Sequence, residues 1–289
     1  MKNILMAISL MILLLSCESN KPTLKFQTIG MASAKAQAQS EGKAIFLFVY
    51  QDEANPYVKV FQEQIFKDQA IADYFNAHFV NVSLDAKAQQ NWCNLAENYG
   101  VYQSPTLLLL TPQAEVIAEI SELGALGYDA EGNLPCRSQM LRIARVAAAY
   151  GQSSDSAFFS KENWQDLNQI NMRLDSELFA RVASNKEYLR SLYGNEWDMM
   201  MDFNMASASL RLMIYEKDKA ARCNDFRVKA YYAALEAYDF PLKERYRLYA
   251  DVNIAYGLGD IVKARQVAYQ AYKDGVIQEM EYLQLYDKL

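Results

Sequence analysis

Histidine occurs once in the 289 residues, as His78, and cysteine only four times. One imidazole excludes a His-rich metal site and leaves any His-based proton transfer a single candidate. That residue lies in Asn76-Ala77-His78-Phe79-Val80, just before an apolar run, where it reads as a turn residue at a strand start. No Gly-rich phosphate loop, no Ser-His-Asp set and no metal-ligand spacing is present, so no metal or cofactor is implied. Basic clusters are missing too. With a net charge of -6 and dispersed Lys and Arg, the chain lacks the basic groove that nucleic acid requires. Beyond residue 15 there is no long apolar run, and 52% hydrophobic residues suffice for one or two buried cores.

The one apolar run, Ile4 to Leu15, follows Lys2 and stops at Ser16-Cys17 before turning polar at Glu18, Ser19 and Asn20. A charged start, a short apolar core and a small residue at the cut make a secretory signal. The run falls short of the roughly 20 residues that span a membrane. Leu14-Leu15-Ser16-Cys17 also resembles the bacterial lipobox, which implies that Cys17 becomes the acylated first residue of an envelope lipoprotein, periplasmic or outer-membrane. An ordinary signal peptide with an incidental cysteine is the alternative. Residues 1–16 are then the signal and 17–28 a polar tether.

After the tether, helix, strand and turn signals alternate. An Ala-rich helix from Met31 closes at Gly42, suited to the left-handed turn that ends helices. Ile45 to Val49 is a continuous apolar run of strand length, as a central strand covered on both faces requires. Val58, Phe61, Ile65 and Phe66 recur at helical spacing, Asp68 starts another turn, and Ile71, Ala72 and Phe75 follow, so one long or broken helix is expected. Strands are expected from Phe79 to Asp85, Thr106 to Leu110 and Glu115 to Ile120. Helices are expected over 89–99 and 137–150. Pro112 presets the turn between the last two strands. Beyond Gly151, Pro and Gly become rare, strand alternation stops, and Ser160 offers a helix cap.

Two segments within this frame resemble the thioredoxin family. The strand at 45–49 empties through Gln51-Asp52-Glu53-Ala54-Asn55-Pro56-Tyr57 into a helix start, and Ser104-Pro105-Thr106 precedes Leu107 to Leu110. In that family the first strand ends in Trp-Cys-x-x-Cys, and a cis proline before Thr lies against the two sulfurs. Here Glu53 replaces the Trp and Ala54-Asn55-Pro56-Tyr57 replaces the Cys-x-x-Cys. The resemblance implies an α/β thioredoxin-like domain over 29–150, a central mixed sheet flanked by helices, followed by an all-α helical domain over 151–289. Residues 160–194 resemble the helical tail of some envelope proteins of this kind. Tyr249 to Asp260, with Lys263-Ala264, Ala268, Ala271 and Gly275, resembles one tetratricopeptide helix pair, too little for a solenoid.

Thiol exchange needs a nucleophilic sulfur at the helix start and a second one three residues on. Ala54 and Tyr57 can serve as neither. The groove between Glu53–Tyr57 and Ser104-Pro105-Thr106 remains, and the family resemblance implies that its proline loop offers backbone groups to extended peptides. Asp52 and Glu53 would make that groove negative. Alternatively these residues only cap a helix and hold a turn.

Besides Cys17 the chain has Cys93, Cys136 and Cys223, an odd number in an oxidising compartment. Topology allows a Cys93–Cys136 bridge on the groove's rim, worth about 3 to 4 kcal/mol on the chain-entropy model. A relocated redox role and inert buried thiols are the alternatives, and Cys223 has no evident mate. The tyrosines of the tail, from Tyr231 to Tyr286, form either core or a sugar- or peptide-binding face. The expected function is a membrane-anchored, non-catalytic protein that binds an envelope polypeptide. A thiol-disulfide oxidoreductase using Cys93 or Cys136, and a purely structural assembly component, are the rivals.

Overall fold

Ile45, Phe46, Leu47, Phe48 and Val49 carry no polar side chain, so their strand is stable only where both faces are covered. The computed structural model meets that demand. It describes residues 23–86, 95, 98–101, 104–121, 123, 125–151, 153–212 and 226–289. Strand β1 (Ala44–Tyr50) lies inside a sheet of order β2-β1-β3-β4, with β2 spanning Phe79–Asp85, β3 Thr106–Leu110 and β4 Val116–Glu119. It pairs parallel with β2 and antiparallel with β3, and β4 returns antiparallel beside β3. This is the expected mixed sheet.

Period-two alternation divides β1 between two cores. Phe46 and Phe48 point to one face, together with Leu107 and Leu109 of β3. Ile45, Leu47 and Val49 point to the other, with Leu108 and Leu110. Helix α1 (Met31–Glu41) covers the second face through the small side chains of Ala34 and Ala38 and ends at Gly42, whose φ of 64° is the left-handed cap that glycine takes without a Cβ penalty. The first face is covered by α2 (Pro56–Glu63), α3 (Gln69–His78) and α4 (Arg137–Tyr150). Between α2 and α3 the chain makes one 3₁₀ turn, Ile65–Lys67, so the expected helix is broken. Asp68 restarts it: its carboxylate accepts from Ile71 N and is gripped by the Arg137 guanidinium at 2.5 and 2.9 Å. His78 ends α3 rather than sitting in a turn, and its ring lies 4.3 Å from that of Tyr74.

Among the described residues only helices follow: α5 (Asp155–Phe158), α6 (Lys161–Leu167), α7 (Glu177–Ser184), α8 (Lys186–Tyr193), α9 (Glu196–Arg211), α10 (Phe226–Ala237), α11 (Lys243–Gly257), α12 (Ile261–Lys273) and α13 (Glu279–Lys288). Ser160 stands at the N-cap of α6 as expected, but its hydroxyl makes no capping bond. Helices α11 and α12 form a hairpin through Gly259 and Asp260, closed over Ala255, Ala264 and Ala268. The larger core runs unbroken from Phe46 in β1 to Ala250 in α11, so the secondary structure changes at Gly151 while the buried interior does not.

Polar contacts reinforce that junction. Arg173, its side chain 5% exposed, donates to the Tyr99 carbonyl at 2.8 Å and pairs with Glu119 at 3.4 Å and with Asp175. It packs so closely on Gly100, where φ is 59°, that an added Cβ would lie 2.2 Å from a guanidinium nitrogen. Several tyrosines bind carboxylates between helices: Tyr246 to Asp202, Tyr232 to Asp251, Tyr249 to Glu281 and Tyr150 to Glu177. Tyr231 and Tyr246 are buried core residues, as one of the two expected roles requires, whereas Tyr269 and Tyr286 are partly exposed.

Removing one partner of a buried ion pair leaves the others uncompensated, so Arg173→Met is expected to cost about 3 kcal/mol. Gly100→Ala should destabilise in the same direction, and urea midpoints of the two variants measure both. Burial, then Glu177, pushes the Tyr150 hydroxyl up to about 12, and burial with the Glu281 bond does the same for Tyr249. Unfolded tyrosine ionises near 10, so above that pH the folded state holds more protons than the unfolded one. This stabilisation is complete below about pH 10 and is lost as pH rises toward about 12. Urea midpoints at pH 9 and 11 should differ accordingly, with the lower value at pH 11.

Candidate functional site

Three strand ends meet at one rim of the sheet. Tyr50 ends β1 opposite Asp85, the last residue of β2, and Val49 pairs with Thr106, the first residue of β3. The antiparallel pairing thus carries the loop before β3 to the exit of β1. Its Ser104–Pro105 bond is cis, as the family resemblance implies. Ser104 fastens the two segments, since its hydroxyl accepts from Gln51 N at 2.9 Å.

From Gln51 the chain turns into α2 by local bonds. Asp52 accepts from Ala54 N at 2.9 Å through its carboxylate and from Asn55 N at 3.1 Å through its carbonyl. Asn55 is the N-cap, accepting from Tyr57 N at 2.9 Å, and Pro56 takes the first helical position, where no amide hydrogen is needed. Glu53, Ala54, Pro56 and Tyr57 are exposed, and Tyr57 is 61% accessible. Ser104 and Pro105 are half-buried and Thr106 is buried. Every expected groove residue described here therefore stands on one rim.

Two further residues belong to it: Asp85, whose strand end the sequence-level topology already places on this rim, and Tyr50, which sequence reasoning missed. The Tyr50 hydroxyl donates to Glu53 Oε1 at 3.3 Å, and burial, then the Glu53 and Asp85 charges, raise its pKa above the usual tyrosine value. Tyr50 occupies a strand end, where spacing reveals only the strand. Only the register between β1 and β2 sets it opposite Asp85. With Asp52, Glu53 and Asp85 the rim carries three carboxylates, the negative character expected of it. No group of His, Cys, Asp and Glu among the described residues is arranged to hold a metal ion.

The family model for the thioredoxin-like domain matches residues 31–126, which contain all four strands and both halves of the rim. This segment is a thioredoxin-like domain. Similar solved structures include a candidate disulphide-isomerase from Bacteroides thetaiotaomicron, 27% identical over 48% of this chain and 100% of its own, with a TM-score of 0.34. Another is a DsbH oxidoreductase, 18% identical over 43% of this chain and 88% of its own, also with a TM-score of 0.34. No curated protein matches the chain.

In the thioredoxin-like domain the two positions of the sulfur pair are held by a methyl group at Ala54 and a phenol at Tyr57. Neither side chain can form a mixed disulfide. Among the other cysteines, Cys93, Cys223 and the expected anchor Cys17 lie outside the described residues. Cys136 is a free, fully buried thiol just before α4, where its side chain caps nothing. Burial raises its pKa, so little thiolate forms at neutral pH.

Cys136 should therefore resist a thiol reagent such as dithionitrobenzoate in the native protein at pH 8 and react on unfolding in urea. A Cys93→Ser, Cys223→Ser variant isolates its signal.

Proposed function

We propose that this protein is a lipid-anchored component of a bacterial cell envelope whose thioredoxin-like domain binds a polypeptide without acting on its disulfides. One observation carries the reading: the cis Ser104–Pro105 loop and the capped start of α2 stay bonded side by side, while the reacting positions hold Ala54 and Tyr57. A proline loop beside a helix start that carries an exposed tyrosine favours contact with an extended chain, because main-chain groups give affinity and side-chain contacts give selectivity. The carboxylates of Asp52, Glu53 and Asp85 favour a segment bearing Lys or Arg, whose binding weakens with salt. Acylation at Cys17 would hold the groove near the membrane, and the residues that follow would act as its tether. The free, buried thiol of Cys136 argues against the rival oxidoreductase reading.

Two measurements test this. Insulin reduction should stay at background. Turnover abolished by Cys93→Ser would defeat the non-catalytic reading. A photo-crosslinking amino acid at position 57 should capture a discrete polypeptide in native envelope, and the same group at Lys35, on the opposite face of the sheet, should not. Equal capture at both positions would rule out the groove. Cys17→Ser should move the protein from the membrane to the soluble fraction.

A further inference from the structure

The chain enters the fold as a strap along the outer edge of β2. Gln27 pairs in parallel with Val82 and its amide donates to the Asn81 carbonyl at 2.8 Å, while Leu24 N donates to the Phe66 carbonyl at 2.8 Å. Between them Phe26 packs its ring 5.0 Å from that of Phe66 and 5.9 Å from those of Phe46 and Phe48. Asn76, near the end of α3, clamps the start of the strap. Its side-chain oxygen accepts from Lys25 N at 2.9 Å and its amide donates to the Thr23 carbonyl at 3.1 Å. One carboxamide thus offers a donor and an acceptor to the residues on either side of Leu24, as a paired strand does.

Because the strap runs parallel to β2, its upstream end leaves the domain at the pole where β1 and β2 begin, beside Ala44 and Phe79. The hairpin of residues 111–115 closes at that same pole, since Leu110 pairs with Ile45. The rim stands at the opposite end, one length of the seven-residue strand β2, or roughly 20 Å, away. Cys17 precedes Thr23 by six residues, a stretch that reaches roughly 20 Å when fully drawn out. To face an acyl anchor at Cys17, the rim would need the whole strand and the Asp52–Asn55 turn beyond it to fit within that reach. The link would then lose all conformational freedom, which is costly. Charge acts in the same sense. Asp52, Glu53 and Asp85 at the rim are repelled by anionic headgroups, whereas the pole is close to neutral, presenting Lys25, His78, the Lys43–Glu41 ion pair and Glu115.

We propose that the pole formed by the starts of β1 and β2 and the 111–115 hairpin is the surface this protein turns to the bilayer, with Asn76 as the residue that positions it. The inference rests on the lipid-anchored reading and adds an orientation to it. The anchor keeps the rim close to the membrane but turned from it, open to the aqueous compartment.

The test uses the full chain, made in a bacterial envelope and reconstituted in phosphatidylethanolamine–phosphatidylglycerol vesicles whose headgroups carry an acceptor dye. A fluorescent amino acid replaces either Gln113, exposed at the pole, or Tyr57, exposed at the rim. Energy transfer to the headgroups should be at least about twofold more efficient from position 113, because a strand length separates the two sites. Inserting about 20 Gly and Ser residues between Asn20 and Lys21 should erase that contrast without touching the fold. Asn76→Ala, which frees the start of the strap, should reduce it in protein whose circular dichroism is unchanged. Equal transfer from both positions, or more from position 57, in protein shown by mass spectrometry to be acylated at Cys17 would overturn the orientation alone. A contrast that survives the insertion would do the same. An N-terminus without acyl chains would overturn the anchored reading and this inference with it.

Discussion

Strand β1 governs the molecule because five consecutive buried apolar residues cannot be placed at an edge or against water. Being central, it must be paired on both sides, and being apolar on both faces, it must be covered twice. The parallel partner β2 and the antiparallel partner β3 meet the first demand. Helix α1 on one face and α2 to α4 on the other meet the second. The mixed pairing has a chemical consequence. Only because β3 runs against β1 does the start of β3 lie at the exit of β1, so the proline loop and the degenerate turn become neighbours.

The same core explains why the helical region is more than an appendage. The phenylalanine face of the sheet continues through α4 into Phe158, Trp164, Phe179 and Trp197 without a polar layer between them. Arg173 is tolerated inside that junction because a carbonyl, Glu119 and Asp175 together replace its water. The tyrosine–carboxylate bonds among α9, α10, α11 and α13 do similar service farther along, each satisfying a partly buried carboxylate with a neutral donor. The rim stands at one end of the sheet that this interior supports.

At the rim the local structure of the thioredoxin-like domain stands without sulfur at positions 54 and 57. Replacing two sulfurs with Ala54 and Tyr57 leaves the helix cap, the Asp52 turn and the Ser104 bond intact, because none of these uses a thiol. Those contacts use backbone amides, a carboxylate, a carboxamide and a hydroxyl, whereas exchange would need the sulfurs.

Much of this was legible residue by residue. The apolar run at 45–49, the strand 106–110, the helix 137–150 and the Gly42 cap coincide with the observed elements, since burial on both faces and left-handed caps leave direct marks in local composition. The broken helix around Asp68 was legible as a choice between two forms, and the buried carboxylate bonded to Arg137 selects one. His78 sits one position from the strand, where helix end and turn have the same signature. By itself the sequence determined the elements just named and the absence of cysteine at positions 54 and 57, because each depends on residue types close along the chain. Only the tertiary structure decided the unbroken core across Gly151, the Arg173 junction and the Tyr50–Glu53 bond at the rim. The first two arise from contacts between residues distant in sequence and the third from the turn that brings two side chains together, none of which a local pattern records.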